Sequence, residues 1–180
     1  MNKLSSAGSG TNSLISKKVE QLMSSVDVLV VDDSQFTRKL TRNILINIGI
    51  KTIYEAGDGL EGLEVLRMHA PDLVILDWEM PMLNGAEFLR IVRSPETFPM
   101  PDIPIIMQTS HVERWRVMEA NQLGVNEFVA KPVSGKVLLD RIISIIAKPR
   151  PMIRAENYYG PEPRKPAGTA ELPQMRRSYR

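Results

Sequence analysis

Leu73-Val74-Ile75-Leu76-Asp77-Trp78-Glu79-Met80-Pro81 carries the pattern from which the fold can be read. Residues 73–76 are apolar at every position and too few for a helix. Such a run suits a strand covered on both faces, as strands of a parallel sheet are. It ends abruptly in an acid, and a proline follows four residues later. The same short, mostly apolar run recurs at Val28–Val31, Ile103–Met107 and Val125–Ala130, and in weaker form at Lys51–Ala56. The stretches between have helical spacing. Phe36, Leu40, Ile44, Leu45 and Ile48 mark one face, closed by Gly49. Val137, Leu138, Ile142, Ile145 and Ile146 mark another, stopped by Pro149. Shorter helices are expected over 59–69, 85–93 and 112–122, with Ser34 and Asp58 placed as N-caps. Strand and helix alternate five times, which predicts an α/β fold: a parallel sheet with helices on both faces.

Composition divides the 180 residues into three parts. Residues 1–25 are first Ser/Gly-rich, then Leu14, Ile15, Val19, Leu22 and Met23 fall near helical spacing, which predicts a short amphipathic helix. That extension offers a surface for packing on the body or for pairing two copies as a homodimer. Residues 26–148 form the patterned body, long enough for one substantial core. Residues 149–180 hold six of the 13 prolines and seven Arg and Lys against three Glu, a net of +4. They lack a periodic apolar face, and a disordered or extended tail is expected. The whole chain is +2, so the body is faintly acidic, and the basic character belongs to the tail. There is no cysteine, which excludes a disulfide framework, a Cys-ligated zinc site and a thiol nucleophile. No apolar run approaches the length of a membrane span or a secretory leader, so the cytoplasm is the expected compartment.

In open sheets of this class ligands sit at the carboxyl ends of the strands. There the sequence puts Asp32 and Asp33 after the first strand, Asp77 after the third, Thr109-Ser110 after the fourth and Lys131-Pro132 after the fifth. Each alone is ordinary, because strand-end Asp and Ser/Thr commonly serve as turn or cap residues. Together they bring three carboxylates, a hydroxyl and an ammonium to one rim. Three close carboxylates repel unless a cation joins them. A hard divalent ion with oxygen ligands answers that need, and Mg²⁺ is the natural one where phosphate is also bound. With a carboxylate able to act as nucleophile, the set fits phosphoryl transfer.

Val30-Val31-Asp32-Asp33, Leu76-Asp77-Trp78-Glu79-Met80-Pro81, Asn84-Gly85, Thr109-Ser110 and Lys131-Pro132 resemble, in order and spacing, the receiver domain of two-component response regulators, the CheY-like family. The resemblance covers about 26–148. It implies a flavodoxin-like (βα)5 domain with strand order 2-1-3-4-5. It implies that Asp77 is the phosphoacceptor, and that Asp33, Asp77 and the backbone carbonyl of Glu79 bind Mg²⁺, with Asp32 acting through metal-bound water. Lys131 would pair with the phosphoryl group, Thr109 would move to hydrogen-bond it, and Phe128 would be the aromatic switch that follows. The donor would be a sensor histidine kinase or a histidine phosphotransfer protein. The output would be contact with a downstream target protein through the surface around the fourth helix and fifth strand. The chain is thus expected to be a single-domain regulator and a phosphoacceptor switch, not an independent enzyme. Residues 149–180 are too short for a helix-turn-helix DNA-binding domain.

Four points depart from the pattern or compete with it. The side chains of Glu79 and His111 are expected at the mouth of the site, where they would tune how long the phosphoryl group lasts. Gln108 stands where an aliphatic residue is usual, and a polar group there is expected to disturb the fourth strand. Gly57-Asp58-Gly59-Leu60-Glu61-Gly62 fits G-x-G-x-x-G and would suit a dinucleotide, but that reading leaves Asp32-Asp33 and Lys131 unexplained. A phosphohydrolase of the haloacid dehalogenase type uses a similar set of residues, but with its acidic pair last in the chain, not first.

Overall fold

The computed structural model describes residues 17–110 and 113–164. Its centre is a five-stranded parallel sheet in the order β2-β1-β3-β4-β5, formed by β1 (Asp27–Val31), β2 (Thr52–Ala56), β3 (Leu73–Asp77), β4 (Ile105–Thr109) and β5 (Glu127–Ala130). The helices are α1 (Gln35–Asn47), α2 (Gly59–His69), α3 (Gly85–Val92), α4 (Arg114–Gln122) and α5 (Gly135–Ala147). This is the expected flavodoxin-like fold.

Alternation along each strand divides the core in two. Leu29, Val31, Val74, Leu76, Ile105 and Met107 pack against Leu63 and Leu66 of α2, Phe88 and Leu89 of α3, and Ala120 of α4. Val28, Val30, Ile75, Ile106 and Val129 pack against Leu45 of α1 and Leu138 and Ile142 of α5. A helical stretch over 17–23 joins this second layer: Met23 is fully buried, and Val19 and Leu22 pack beside it. That part of the N-terminal extension therefore packs on the body.

Local chemistry sets the element boundaries. Ser34 Oγ accepts from Thr37 N and Asp58 Oδ1 from Glu61 N, so both expected N-caps are in place. β4 starts at Ile105 instead of Ile103, because Pro101 and Pro104 have no N–H to offer a ladder. The loop before it folds inward: Phe98 is buried, with the Arg67 guanidinium 5.1 Å from its ring centroid. β5 starts at Glu127 instead of Val125, because Val125 N is still bonded to Ala120 O in the turn after α4. α4 starts at Arg114, and Glu113 precedes it without a side-chain cap. Gln108 is buried in β4 without disturbing it. The register Asp77↔Gln108↔Val129 is intact and Trp78 N donates to Gln108 O at 3.0 Å, although the Gln108 Nε2 itself finds no hydrogen-bond partner.

The main departure from the sequence reading is in residues 149–180. Part of the expected disordered tail is an antiparallel hairpin, β6 (Met152–Ala155) with β7 (Tyr158–Pro161). It docks on the loops at the amino ends of β4 and β5. Arg150 Nη2 donates to Asn126 O at 2.6 Å, Tyr159 Oη donates to Asp102, and Arg164 pairs with the buried Glu127. Gly124 and Gly160 let the two backbones touch: a Cβ on Gly124, whose φ is +83°, would stand 2.6 Å from Tyr159 O. The contacts are mostly polar and backbone-directed, so no apolar periodicity announces them. Residues 165–180 lie outside the described part.

Candidate phosphorylation site

The carboxyl ends of β1, β3, β4 and β5 meet at one rim, and the expected residues are there. Carboxylate oxygens of Asp32, Asp33 and Asp77 all lie within 4.8 Å of one another. Lys131, one residue past β5, reaches across with Nζ 2.6 Å from Asp32 Oδ2 and 2.9 Å from Asp77 Oδ1. Asp32 is further held by Ser34 N, which donates to its Oδ1 at 2.9 Å, so the acid is locked by the start of α1. Asp33 is exposed and opens the cluster to solvent. Thr109 is fully buried at the end of β4, and its backbone oxygen accepts from Lys131 N at 2.8 Å. Half-buried Phe128 pairs with Met107 and so shares the sheet face of Thr109, two residues beyond Met107.

Charge in this site is unbalanced. Burial raises the pKa of Asp77 above its ordinary value, the charge of Asp32 adds to the rise, and the hydrogen bond from Lys131 works against it. Burial alone would lower the pKa of Lys131, but its bonds to Asp32 and Asp77 prevail and the ammonium is held more firmly than usual. One lysine therefore serves carboxylates that exceed it in charge. The donor set is all hard oxygen, closely spaced and open on the Asp33 side, which suits a small divalent cation.

The loop after Asp77 is shaped by close contact. Gly85 N donates to Trp78 O at 3.0 Å, and a Cβ on Gly85 would fall 2.4 Å from Asp77 O. Only glycine lets α3 begin directly against the backbone of the phosphoacceptor candidate. Asn84 and Glu87 close a capping box there.

Glu79 lines a shallow depression with Asp33, Trp78, Met80, Pro81 and Asn84, as expected of a mouth residue. The sequence reading did not find its partner. Arg116 Nη2 lies 2.8 Å from Glu79 Oε1. Arg38 was also missed: its Nη1 donates to Asp32 O at 2.6 Å and Asp33 O at 3.3 Å, steadying the acidic turn. Neither arginine stands in a motif, and only helical placement beside a strand end would have pointed to them. His111 lies outside the described residues.

The glycine-rich turn has a packing role instead. Gly57 N is taken by Glu61 Oε2 at 2.6 Å, a Cβ on Gly59 would meet Leu83 O at 2.6 Å, and Gly62 packs on Val31 and Phe88. Two N–H groups of this turn, those of Gly57 and Glu61, are taken by this chain's own carboxylates.

Comparison with known proteins agrees with the geometry. The model of the response regulator receiver domain matches residues 28–143. The chemotaxis protein CheY of Pseudomonas aeruginosa is 35% identical over 121 residues, covering 67% of this chain and 96% of that protein. CheY1 of Helicobacter pylori is 37% identical over 116 residues, covering 64% of this chain and 92% of that protein. Among solved structures, CheY4 of Vibrio cholerae aligns with a TM-score of 0.61 at 28% identity, covering 67% of this chain and 98% of that one. The CheX–CheY–BeF3–Mg complex of Borrelia burgdorferi aligns with a TM-score of 0.63 at 29% identity, covering 68% and 90%. With this family match over more than half its length, the chain belongs to the response regulator receiver family.

Proposed function

We propose that Asp77 accepts a phosphoryl group from a phosphohistidine donor, with Mg²⁺, and that the modification switches a protein-interaction surface. The observation that carries this reading is the Lys131 ammonium bridging Asp32 and Asp77 in a site with an excess of negative charge. Asp33, Asp77 and the backbone carbonyl of Glu79 would hold the ion, with Asp32 acting through a bound water, and the ion would neutralise charge on the phosphoryl oxygens. An ionised Asp77 oxygen attacks phosphorus, a P–O bond forms, and the P–N bond to imidazole breaks with its electron pair leaving on nitrogen. Lys131 then exchanges a carboxylate oxygen for a phosphoryl oxygen. Water later attacks phosphorus and the Asp77 carboxylate leaves. The chain reacts once per phosphoryl group and is a switch, not a turnover enzyme.

Thr109 turns toward the new phosphoryl oxygens, and Phe128 follows on the same sheet face. Phe128 lines a groove with Val117 and Asn121 of α4, Arg141 of α5 and Tyr158 of the hairpin, so its packing reaches the surface on which a target protein would dock. Phe128 has no hydroxyl, and the change is one of packing. The expected partners are a sensor histidine kinase or histidine phosphotransfer protein and a downstream protein. No helix among the described residues is long and apolar enough to cross a membrane, and a cytoplasmic location is part of the proposal.

Incubation with Mg²⁺ and acetyl phosphate, followed by intact mass measurement, tests the reading. Wild type should gain one phosphate and Asp77→Asn none. A wild type that gains nothing, and whose tryptophan fluorescence beryllofluoride leaves unchanged, would overturn it.

A further inference from the structure

Arg116 is a closely held cation at the site that the proposed chemistry does not use. It rises from the first turn of α4, and its side chain is only 16% exposed. The guanidinium carbon lies 4.9 Å from the Trp115 ring centroid and 5.9 Å from that of Trp78. Nε is buried, makes no hydrogen bond, and stands 3.5 Å from Glu113 Oε2. Nη2 meets Glu79 Oε1 at 2.8 Å. A guanidinium stripped of most of its water, set against two indole rings and between the Glu79 and Glu113 carboxylates, has little freedom to sit elsewhere. Arg116 and Glu79 line the same depression as Asp33, so their ion pair spans the mouth from the β3–α3 loop to the start of α4.

We propose that Arg116 is a positioning residue of the phosphorylation site, holding the Glu79 carboxylate across the mouth so that it does not assist water attacking phosphorus, and thereby prolonging the phosphoryl group on Asp77. The inference rests on the phosphorylation of Asp77 proposed above. A carboxylate paired with a guanidinium at this distance is held in one orientation. Without Arg116, Glu79, two residues from the reacting ester, loses the ion pair that fixes it across the mouth. The pair also ties α4, one wall of the groove containing Phe128, to the chemistry at Asp77.

The test follows loss of phosphate from full-length protein loaded with acetyl phosphate, in wild type, Arg116→Met, Arg116→Lys, Glu79→Gln and the Arg116→Met/Glu79→Gln double variant. Arg116→Met keeps the stem that packs on the rings and removes the charge. It should lose phosphate about tenfold faster, a small part of the roughly 10²–10⁴ that a well-placed base can contribute. Arg116→Lys should stay near wild type, and the double variant should match Glu79→Gln alone. An Arg116→Met rate equal to wild type overturns the proposal. So does an acceleration that persists undiminished with Glu79→Gln, because the effect would then come from packing of α4 and not from the carboxylate. If wild type takes up no phosphate at all, the phosphorylation reading itself falls and this proposal falls with it, an outcome distinct from unchanged lifetimes.

Discussion

The two ends of the sheet each enclose a cation, buried at one end and half-buried at the other, and they treat it in opposite ways. At the carboxyl ends, Lys131 faces Asp32 and Asp77, which are charged acceptors that exceed it. At the amino ends, Arg93 is buried among neutral oxygens: Nε donates to Gly124 O at 2.9 Å, Nη1 to Pro101 O at 2.6 Å and Nη2 to Asn126 Oδ1 at 3.0 Å. Burial pulls the Arg93 pKa down to about 10, still well above neutrality, whereas partners raise that of Lys131. Arg93 is a clamp whose donors are spent on the loops that also seat the hairpin. Lys131 is bound to groups whose charge changes when a metal or a phosphoryl group arrives. Burial of a cation therefore does not mark function by itself. What distinguishes the two is whether the partners can change their charge.

Removing Arg93 should give the largest effect. Arg93→Ala leaves three buried or half-buried oxygens without their donor, a cost on the order of 3 kcal/mol and about 10 °C in Tm by thermal unfolding. Below its lowered Tm, the variant should still take phosphate from acetyl phosphate at the wild-type rate. A loss of phosphorylation in folded Arg93→Ala would break the separation of the two ends.

A matched pair of glycine substitutions sharpens the comparison. Gly124→Ala and Gly85→Ala each place a Cβ inside 3 Å of backbone, against Tyr159 O and Asp77 O respectively. Each should cost about 2 kcal/mol. Amide exchange should show the hairpin loosened only by the first, and intact mass should show phosphate uptake slowed only by the second.

At Asp77 the sign reverses. Its pKa is raised in the folded chain, so its contribution to stability is fully present below the ordinary carboxylate value and is lost as pH rises through the raised one. Without Mg²⁺ at neutral pH, Asp77→Asn should raise Tm by about 2–4 °C, while at low pH the two proteins should unfold together. Added Mg²⁺ should stabilise wild type more than the variant, by mass action on the folded state. A lower Tm for Asp77→Asn at neutral pH would show that Lys131 more than compensates the buried charge.

The smallest effect is expected at the hairpin surface. Tyr159→Phe removes one exposed hydrogen bond to Asp102 and should change stability by no more than about 0.5 kcal/mol, read from the urea midpoint. A larger loss would mean that this bond, and not the Gly124–Gly160 contact, seats the hairpin.

What was legible in the sequence was whatever repeats or stands at a fixed station. Two-face burial of the strands shows as runs such as Leu73–Leu76, caps show at Ser34 and Asp58, and the site shows because Asp32, Asp33, Asp77, Thr109 and Lys131 all end or directly follow strands in a fold whose strands are parallel. Boundaries were blurred where prolines or turns cut a run short, as at Ile103 and Val125. The hairpin, the Arg93 clamp and the Arg116–Glu79 pair were not legible. Each joins residues through long, flexible guanidinium groups to partners across the fold, 31 to 33 residues distant for Gly124 and Asn126, and several of those partners are backbone oxygens that every residue carries. The sequence by itself thus determined the parallel sheet and which residues stand at its carboxyl ends, because periodicity and strand-end position are local. Only the tertiary structure decided which arginine pairs with Glu79, which one anchors the opposite end and where residues 149–164 lie, because those depend on distances that no spacing along the chain encodes.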